Sequence, residues 1–282
     1  MNIFKLLKEK LAHYTWDLAY GEYSDNIFLN GLEGIKLHII KNPYKKKWFA
    51  DPFILKESLT ELHLLVEEFD SDVKRGRIAH LTINKQKNII TNCSIILDTV
   101  SHLSFPAIYR IENCIYVHPE NSSSGKSFMY RYDENIDKLV DPICVCNDPI
   151  ADAIIVNKEE HYEMYATRVP YPNGNSLMIY ESKNFQGPYI QKSQNKYNSN
   201  IARMAGSFIT YSNMEIRPAQ DCNGGYGKAV LFMFGNKILS ELKPKNKKYA
   251  GIHTFNTLSN TFVIDLKKYD YPLLIHLNNM LK

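Results

Sequence analysis

The sequence predicts an all-β fold, a five-bladed β-propeller with a short N-terminal helix, and two observations carry that expectation. The first is a rhythm of five anchors along the 282 residues: Trp48-Phe-Ala-Asp51-Pro-Phe-Ile, Ser101-His102-Leu-Ser104-Phe105-Pro106-Ala-Ile, Ile150-Ala-Asp152-Ala-Ile-Ile, Ala202-Arg203-Met-Ala205-Gly206-Ser-Phe-Ile and Gly251-Ile-His253-Thr-Phe. With Asp51, Ser104, Asp152, Ala205 and His253 as centres, the intervals are 53, 48, 53 and 48 residues. A period of about fifty residues is that of propeller blades. The second observation is that each anchor opens a series of short runs rich in β-branched and aromatic residues, separated by Asn, Gly, Asp and Lys turns, as antiparallel meanders require.

The elements follow in order. Residues 1–12 place apolar side chains at helical spacing between charges, which predicts a short amphipathic helix that packs on the propeller. A membrane surface or a partner is the alternative docking site. The segment lacks the unbroken apolar stretch of a signal peptide and is too short to span a bilayer, so the expected location is cytoplasmic. Behind Asp51 come Phe53-Ile-Leu55, Leu62–Phe69 and Arg77–Ile83; the second unit has Ala107–Ile111, Cys114–His118 and Ser127–Tyr132. The third has Ala153–Val156, His161–Ala166 and Ser176–Tyr180, and the fourth Phe208–Tyr211, Met214–Arg217 and Ala229–Phe234. The fifth unit holds only Thr254-Phe and Thr261–Leu266, so its missing outer strand is expected from the N-terminal side, at Ile35–Ile40. Closing the ring in this way protects the sheet edges. The domain division expected is 1–40 for the helix and closing segment and 41–282 for the propeller.

Composition narrows the function classes. With 34 basic and 30 acidic residues the formal net charge is +4, which offers no dominant basic face for nucleic acid. The lysine runs at 45–47 and 243–248 read as solvated loops. Five cysteines at 93, 114, 144, 146 and 222 form an odd set without zinc-ligand spacing, and are read as reduced thiols. No Gly-rich phosphate loop opens a helix and no Gly-x-Ser-x-Gly elbow occurs.

In a propeller the innermost strands surround the central axis, so residues at their starts converge. Asp51, His102, Asp152, Arg203 and His253 hold near-equivalent places and are all ionisable. A core built for stability alone would be apolar there, since buried charges must be paired. These five residues are expected to face one pocket.

Several segments resemble a known family: Trp48-Phe-Ala-Asp51-Pro-Phe, Val66-Glu67-Glu68, Ser104-Phe-Pro106 with Pro119-Glu120, Ala202-Arg203-Met-Ala-Gly206-Ser, and above all Arg217-Pro-Ala-Gln220-Asp221-Cys222 with Tyr226-Gly227. They are similar to the five-bladed domain at the amino end of glucosamine inositolphosphorylceramide transferases and in bacterial polysaccharide-gene proteins. That domain in turn resembles the arabinanase, xylosidase and fructosidase propellers of the glycoside hydrolases. The likeness runs from about residue 45 to residue 266. The plant members carry a separate glycosyltransferase domain after the propeller, which these 282 residues do not include.

The hydrolase resemblance implies Asp51 as a base, Asp152 as the residue that orients substrate and tunes the acid, and the acid itself among Glu68, Glu120 and Asp221. Glycosidic bond cleavage takes two such carboxyl groups, one ionised and one protonated. His253 matches a central histidine that in some relatives helps hold water or a metal ion, but it has no visible ligand cluster, and neither a metal nor a cofactor is assigned. Substrate contacts are expected from His102, Arg203, Arg217, Gln220, Tyr226 and His253. Arginines suit a nucleotide-sugar diphosphate or a sugar phosphate, although inter-blade ion pairs with Asp152 or Asp221 are the alternative. Three functions follow. The first is a cytosolic glycosyltransferase adding a sugar, with a furanose as one candidate, from a nucleotide-sugar donor to a surface polysaccharide such as capsule or O-antigen. The second is a glycoside hydrolase or transglycosidase, and the third a non-catalytic glycan-binding propeller using some of the 19 tyrosines.

Overall fold

The computed structural model describes residues 13–271; the helix expected over 1–12 lies outside them. Five four-stranded antiparallel sheets stand around one axis. Blade 1 comprises β3 (Lys47–Glu57), β4 (Glu61–Asp70), β5 (Gly76–Asn84) and β6 (Ile89–Leu97). Blade 2 comprises β7 (Ser104–Ile111), β8 (Cys114–Glu120), β9 (Ser127–Asp133) and β10 (Lys138–Cys146). Blade 3 comprises β11 (Ile150–Asn157), β12 (Tyr162–Arg168), β13 (Ser176–Ser182) and β14 (Ile190–Lys196). Blade 4 comprises β15 (Ile209–Tyr211), β16 (Met214–Asp221), β17 (Ala229–Phe234) and β18 (Lys237–Leu242).

Blade 5 is composite. Its inner strands are β19 (Phe255–Leu258) and β20 (Thr261–Asp270), and its outer strands are β1 (His13–Glu22) and β2 (His38–Ile39). β1 pairs with β20 along its whole length, from His13 opposite Asp270 to Glu22 opposite Thr261. The segment 35–40 therefore supplies only the outermost strand, and the main closing strand is β1, whose Trp16, Leu18, Ala19 and Tyr20 are buried. A single helical turn, α1 (Ile27–Asn30), connects the two and buries Ile27 and Phe28.

The apolar core is divided among the blade interfaces. Leu18, Tyr20 and Val263 of blade 5 pack against Leu62, Leu64 and Val66 of blade 1. On the opposite face of β4, Leu65 packs with Leu103 and Val117 of blade 2. Side chains alternate along a strand, so each inner strand feeds two interfaces. Each fully buried aliphatic side chain contributes about 1.5–3 kcal/mol through removal from water.

Three inner strands carry the same local device. Asp51, Phe105 and Asp152 have φ of 51°, 44° and 49°, and pairing with the next strand slips across each one. Positive φ is costly for residues with a Cβ, and bulges are where a strand tolerates it in order to re-aim a side chain. The bulge turns two carboxylates toward the axis in blades 1 and 3, while blade 2 has Phe105, packed edge-on against Phe53.

Candidate functional site

At the mouth of the central channel lies a cavity of about 260 Å³. Its polar wall is made by Glu67 from β4, His102 and Ser104 at the start of blade 2, Glu120 at the end of β8, and Arg203. Its aromatic wall is made by Tyr14 and Trp16 from β1, Trp48, Phe69 and Tyr226, with His253 at the base. Trp48 and Phe69 stack with ring centroids 4.8 Å apart, and Trp16 lies 4.0 Å from the His253 ring. Rings facing polar groups across a small enclosed space suit a sugar, whose C–H face packs on an aromatic surface while its hydroxyls hydrogen-bond.

Beneath the cavity two ion-pair systems hold the wall. In the first, His253 is sandwiched between carboxylates: Nε2 stands 2.9 Å from Asp51 Oδ1, and Nδ1 stands 2.8 Å from Asp265 Oδ2. The Nδ1 contact is a charge contact, not an aligned hydrogen bond. Asp265 also accepts from the backbone N–H groups of Asp51, His253 and Thr254. Burial alone would push the imidazole down, but Asp265 and Asp51 together raise its pKa to about 10. Asp51 moves the other way. Burial would raise its pKa, yet His253 and the Thr254 hydroxyl hold it below the usual carboxylate range. With Phe105 N–H bound to Oδ2 and Thr254 bound to Oδ1, both Asp51 oxygens are engaged internally.

In the second system Arg203 forks onto Asp152, with Nε 2.6 Å from Oδ2 and Nη2 3.1 Å from Oδ1. Gln220 Nε2 donates to the same carboxylate at 2.7 Å and to Met204 O. Burial pushes Asp152 up to about 6 against the pull of Arg203. Arg203 also donates to Asn173 and lies 5.1 Å over the Tyr226 ring, so it enters the cavity already oriented.

The cavity wall itself behaves differently. Burial first, then the nearby Asp51 charge, raises the Glu67 carboxyl well above the usual carboxylate range. Its neighbour His102, Nε2 3.3 Å from Glu67 Oε1, is held neutral by burial, which lowers its pKa. Gly76 N–H donates to His102 Nδ1 at 2.9 Å, so Nδ1 is the acceptor and the ring proton sits on Nε2, toward Glu67. A Cβ at residue 76 would lie 2.3 Å from Leu103 O and 2.7 Å from Glu67 Oε1, so only glycine lets β5 approach this pair. Glu120 accepts from the hydroxyls of Ser104, at 2.9 Å, and Ser122, and stands 3.8 Å from Arg203.

The structure thus sorts the residues singled out by the sequence. Glu120, His102, Arg203, Tyr226 and His253 line the cavity; Asp51, Asp152 and Gln220 lie below it and hold its lining. Glu68, Arg217 and Asp221 stand outside it. Glu68 is fully buried between Lys47 and Arg77. Arg217 donates to the carbonyls of Ala202 and Ile201 and lies over Tyr197, while Asp221 binds Lys228 and Asn223. Glu67, Ser104, Asp265 and, in the aromatic wall, Tyr14, Trp16, Trp48 and Phe69 were not among the expected site residues. Glu67 has a readable signal: it shares strand parity with Leu65 and Phe69, whereas Glu68 falls with Leu64 and Val66. Gly227 explains the Tyr226-Gly227 dipeptide, because it has φ +67° and a Cβ there would meet Trp16 at 2.6 Å.

The propeller fold is shared with carbohydrate enzymes of known structure. A thermostable family-43 glycoside hydrolase superposes with a TM-score of 0.51 at 13% identity, covering 74% of this chain and 82% of that one. The GH43_1 enzyme from Xanthomonas citri complexed with xylotriose gives 0.51 at 8% identity, covering 76% and 83%; both show a shared fold. The family described as glucosamine inositolphosphorylceramide transferase 1, N-terminal, matches residues 37–252, and the chain belongs to that family. Glucosamine inositolphosphorylceramide transferase 1 of Oryza sativa subsp. japonica is 27% identical over 206 residues, covering 70% of this chain and 27% of the rice protein. The Arabidopsis thaliana protein of the same name is 26% identical over 195 residues, covering 65% and 25%. The chain spans about a quarter of the length of these relatives.

Proposed function

We propose that the central cavity is a monosaccharide site and that the protein is a carbohydrate-active transferase, moving a sugar from an activated donor to a glycan acceptor. The observation that carries this reading is Glu67: a buried carboxyl group whose pKa burial and the Asp51 charge raise well above the usual carboxylate range, on the wall of an aromatic-lined cavity with Glu120 beside it. In transfer, Glu120 takes the proton of the acceptor hydroxyl as that oxygen attacks the anomeric carbon. Glu67 gives its proton to the oxygen that leaves with the donor phosphate. Asp51 and Asp152 act as positioning residues through His253 and Arg203. The size of the cavity, just below the ~300 Å³ at which drug-sized pockets begin, favours one sugar ring over a chain.

The relatives' names, transferases of glucosamine, support the transfer direction. A bacterial surface polysaccharide as acceptor and a cytoplasmic location are parts of the proposal that rest on the sequence resemblance. Five free thiols support a reducing compartment, and no described helix is long and apolar enough to cross a membrane. Two carboxyl groups in one cavity also favour a second reading, hydrolysis or transglycosylation. Incubation with nucleotide sugars and glycan acceptors separates the two. A new glycoside formed only with the donor supports transfer, and reducing sugar released without nucleotide supports hydrolysis. Sugar binding with neither product, unchanged in Glu67→Gln, defeats both and leaves a binding module.

A further inference from the structure

The arginines expected to grip a phosphate are committed elsewhere: Arg217 to backbone carbonyls and Arg203 to Asp152. Yet an activated sugar brings at least one phosphoryl group that must lie beside the sugar site. Next to the central cavity runs a groove of about 810 Å³, between blade 5 and the entry to blade 1. The two spaces share Tyr14, Trp16, Trp48 and Phe69 as a common wall. The groove is also lined by the lysine run 45–47 with Lys41 and Lys268, against two carboxylates, Asp17 and Asp270.

Some of these cations have partners. Lys268 is paired with Asp17, and Lys47 with Glu68 and Asp70. Lys46 reaches only the exposed Asp72, a pair that solvent weakens. Lys41 and Lys45 are exposed, and among the described residues their ammonium groups make no ion pair or hydrogen bond. The groove therefore presents unneutralised positive charge at the rim of a cavity whose floor carboxylates are already matched. An anion attached to a bound sugar meets its nearest unengaged cations there.

We infer that this groove is the subsite for a phosphoryl or pyrophosphoryl group borne by the sugar substrate, gripped by Lys41 and Lys45 with Lys46 released from Asp72. The inference rests on the central cavity holding the sugar. The same chemistry is offered by a soluble sugar phosphate and by a phosphorylated lipid headgroup.

The test is calorimetric titration of the full chain and of a Lys41→Ala, Lys45→Ala variant with glucose, glucose 1-phosphate, UDP-glucose and inorganic pyrophosphate. A parallel arm measures flotation with phosphatidylcholine vesicles with and without phosphatidylinositol. The expected result is that a phosphorylated ligand binds about tenfold or more tighter than glucose, as loss of a charge-assisted contact predicts. That margin disappears in the variant and at high salt, while glucose affinity is unchanged. Lysine-dependent binding of the soluble phosphates, or of the phosphatidylinositol vesicles alone, supports the subsite and identifies its source. Lysine-dependent pyrophosphate binding with no sugar binding keeps the groove and removes the reading of the central cavity. Sugar binding with no phosphate advantage, equal affinities in the variant, or no binding of any phosphate overturns the inference.

Discussion

On β4 two successive glutamates face opposite sides of blade 1. Glu67 looks into the central cavity, where the closest titratable group is the neutral His102. Glu68 is closed into the blade, with Lys47 Nζ 2.7 Å away and the Arg77 guanidinium forked onto both oxygens at 2.9 and 3.0 Å. Both are buried, and residue type, strand and depth are the same. What differs is the partner: Glu68 is paired directly with two cations and becomes part of the scaffold, whereas Glu67 has no directly paired lysine or arginine among the described residues, and burial and the Asp51 charge raise its pKa against the weaker pull of His253. Incomplete pairing thus marks the region proposed to do chemistry, and complete pairing the region that bears load.

The largest effect should come from the unpaired member. Glu67→Gln keeps the shape and a hydrogen-bond donor but has no proton to give, so turnover should fall by about 10²–10⁴-fold, with KM little changed and thermal stability equal or higher. Steady-state kinetics beside thermal denaturation check this. The matching pH profile loses rate as pH rises through the elevated Glu67 pKa, and retained rate in alkali would break the assignment. Glu68→Gln should do the reverse. Leaving Lys47 and Arg77 without their shared acceptor should cost about 2 kcal/mol of stability, read by urea denaturation, with turnover per folded molecule preserved.

The buried histidines extend the comparison to pH. His253, raised to about 10 by Asp265 and Asp51, contributes stability that is fully present below its unfolded pKa of about 6.5 and is lost as pH rises through about 10. His118, pressed down to about 4 by burial, has no charged partner among the described residues, where its one bond is between Nε2 and Ser127 Oγ at 2.6 Å. Its contribution is present above about 6.5 and is lost as pH falls toward 4. Denaturation across pH should therefore show an alkaline limb abolished by Asp265→Asn and an acid limb flattened by His118→Gln. The smallest effect belongs to an ion pair of the scaffold whose cation is half exposed. Asp221→Asn, which removes the pair with the half-exposed Lys228, should cost less than about 1 kcal/mol and leave turnover unchanged.

The ring was legible because blade period and strand chemistry repeat in the sequence. β1 was not: His13–Glu22 sits far from any anchor, and its partner β20 lies some 250 residues away, a pairing that no local pattern encodes. The anchors correctly converge, but convergence on an axis does not distinguish lining from support. Asp51 and Asp152 reach the axis through the same bulge, and only the three-dimensional arrangement shows their oxygens consumed by His253, Thr254, Arg203 and Gln220. The Glu67/Glu68 choice was within reach of strand parity, since Leu62, Leu64 and Val66 already mark the even-numbered face as the one packed on blade 5. Arg217 misleads for another reason, because a guanidinium satisfied by backbone carbonyls leaves no mark in the sequence that separates it from one reserved for phosphate.

The most direct test is a crystal structure of the protein soaked with a nucleotide sugar that it is shown to bind. The sugar ring should lie in the central cavity against Trp16 and Trp48, with a hydroxyl or the glycosidic oxygen within hydrogen-bonding distance of Glu67. A sugar seated on an outer blade face, or held at Glu68 and Asp221 with the central cavity empty, would contradict it.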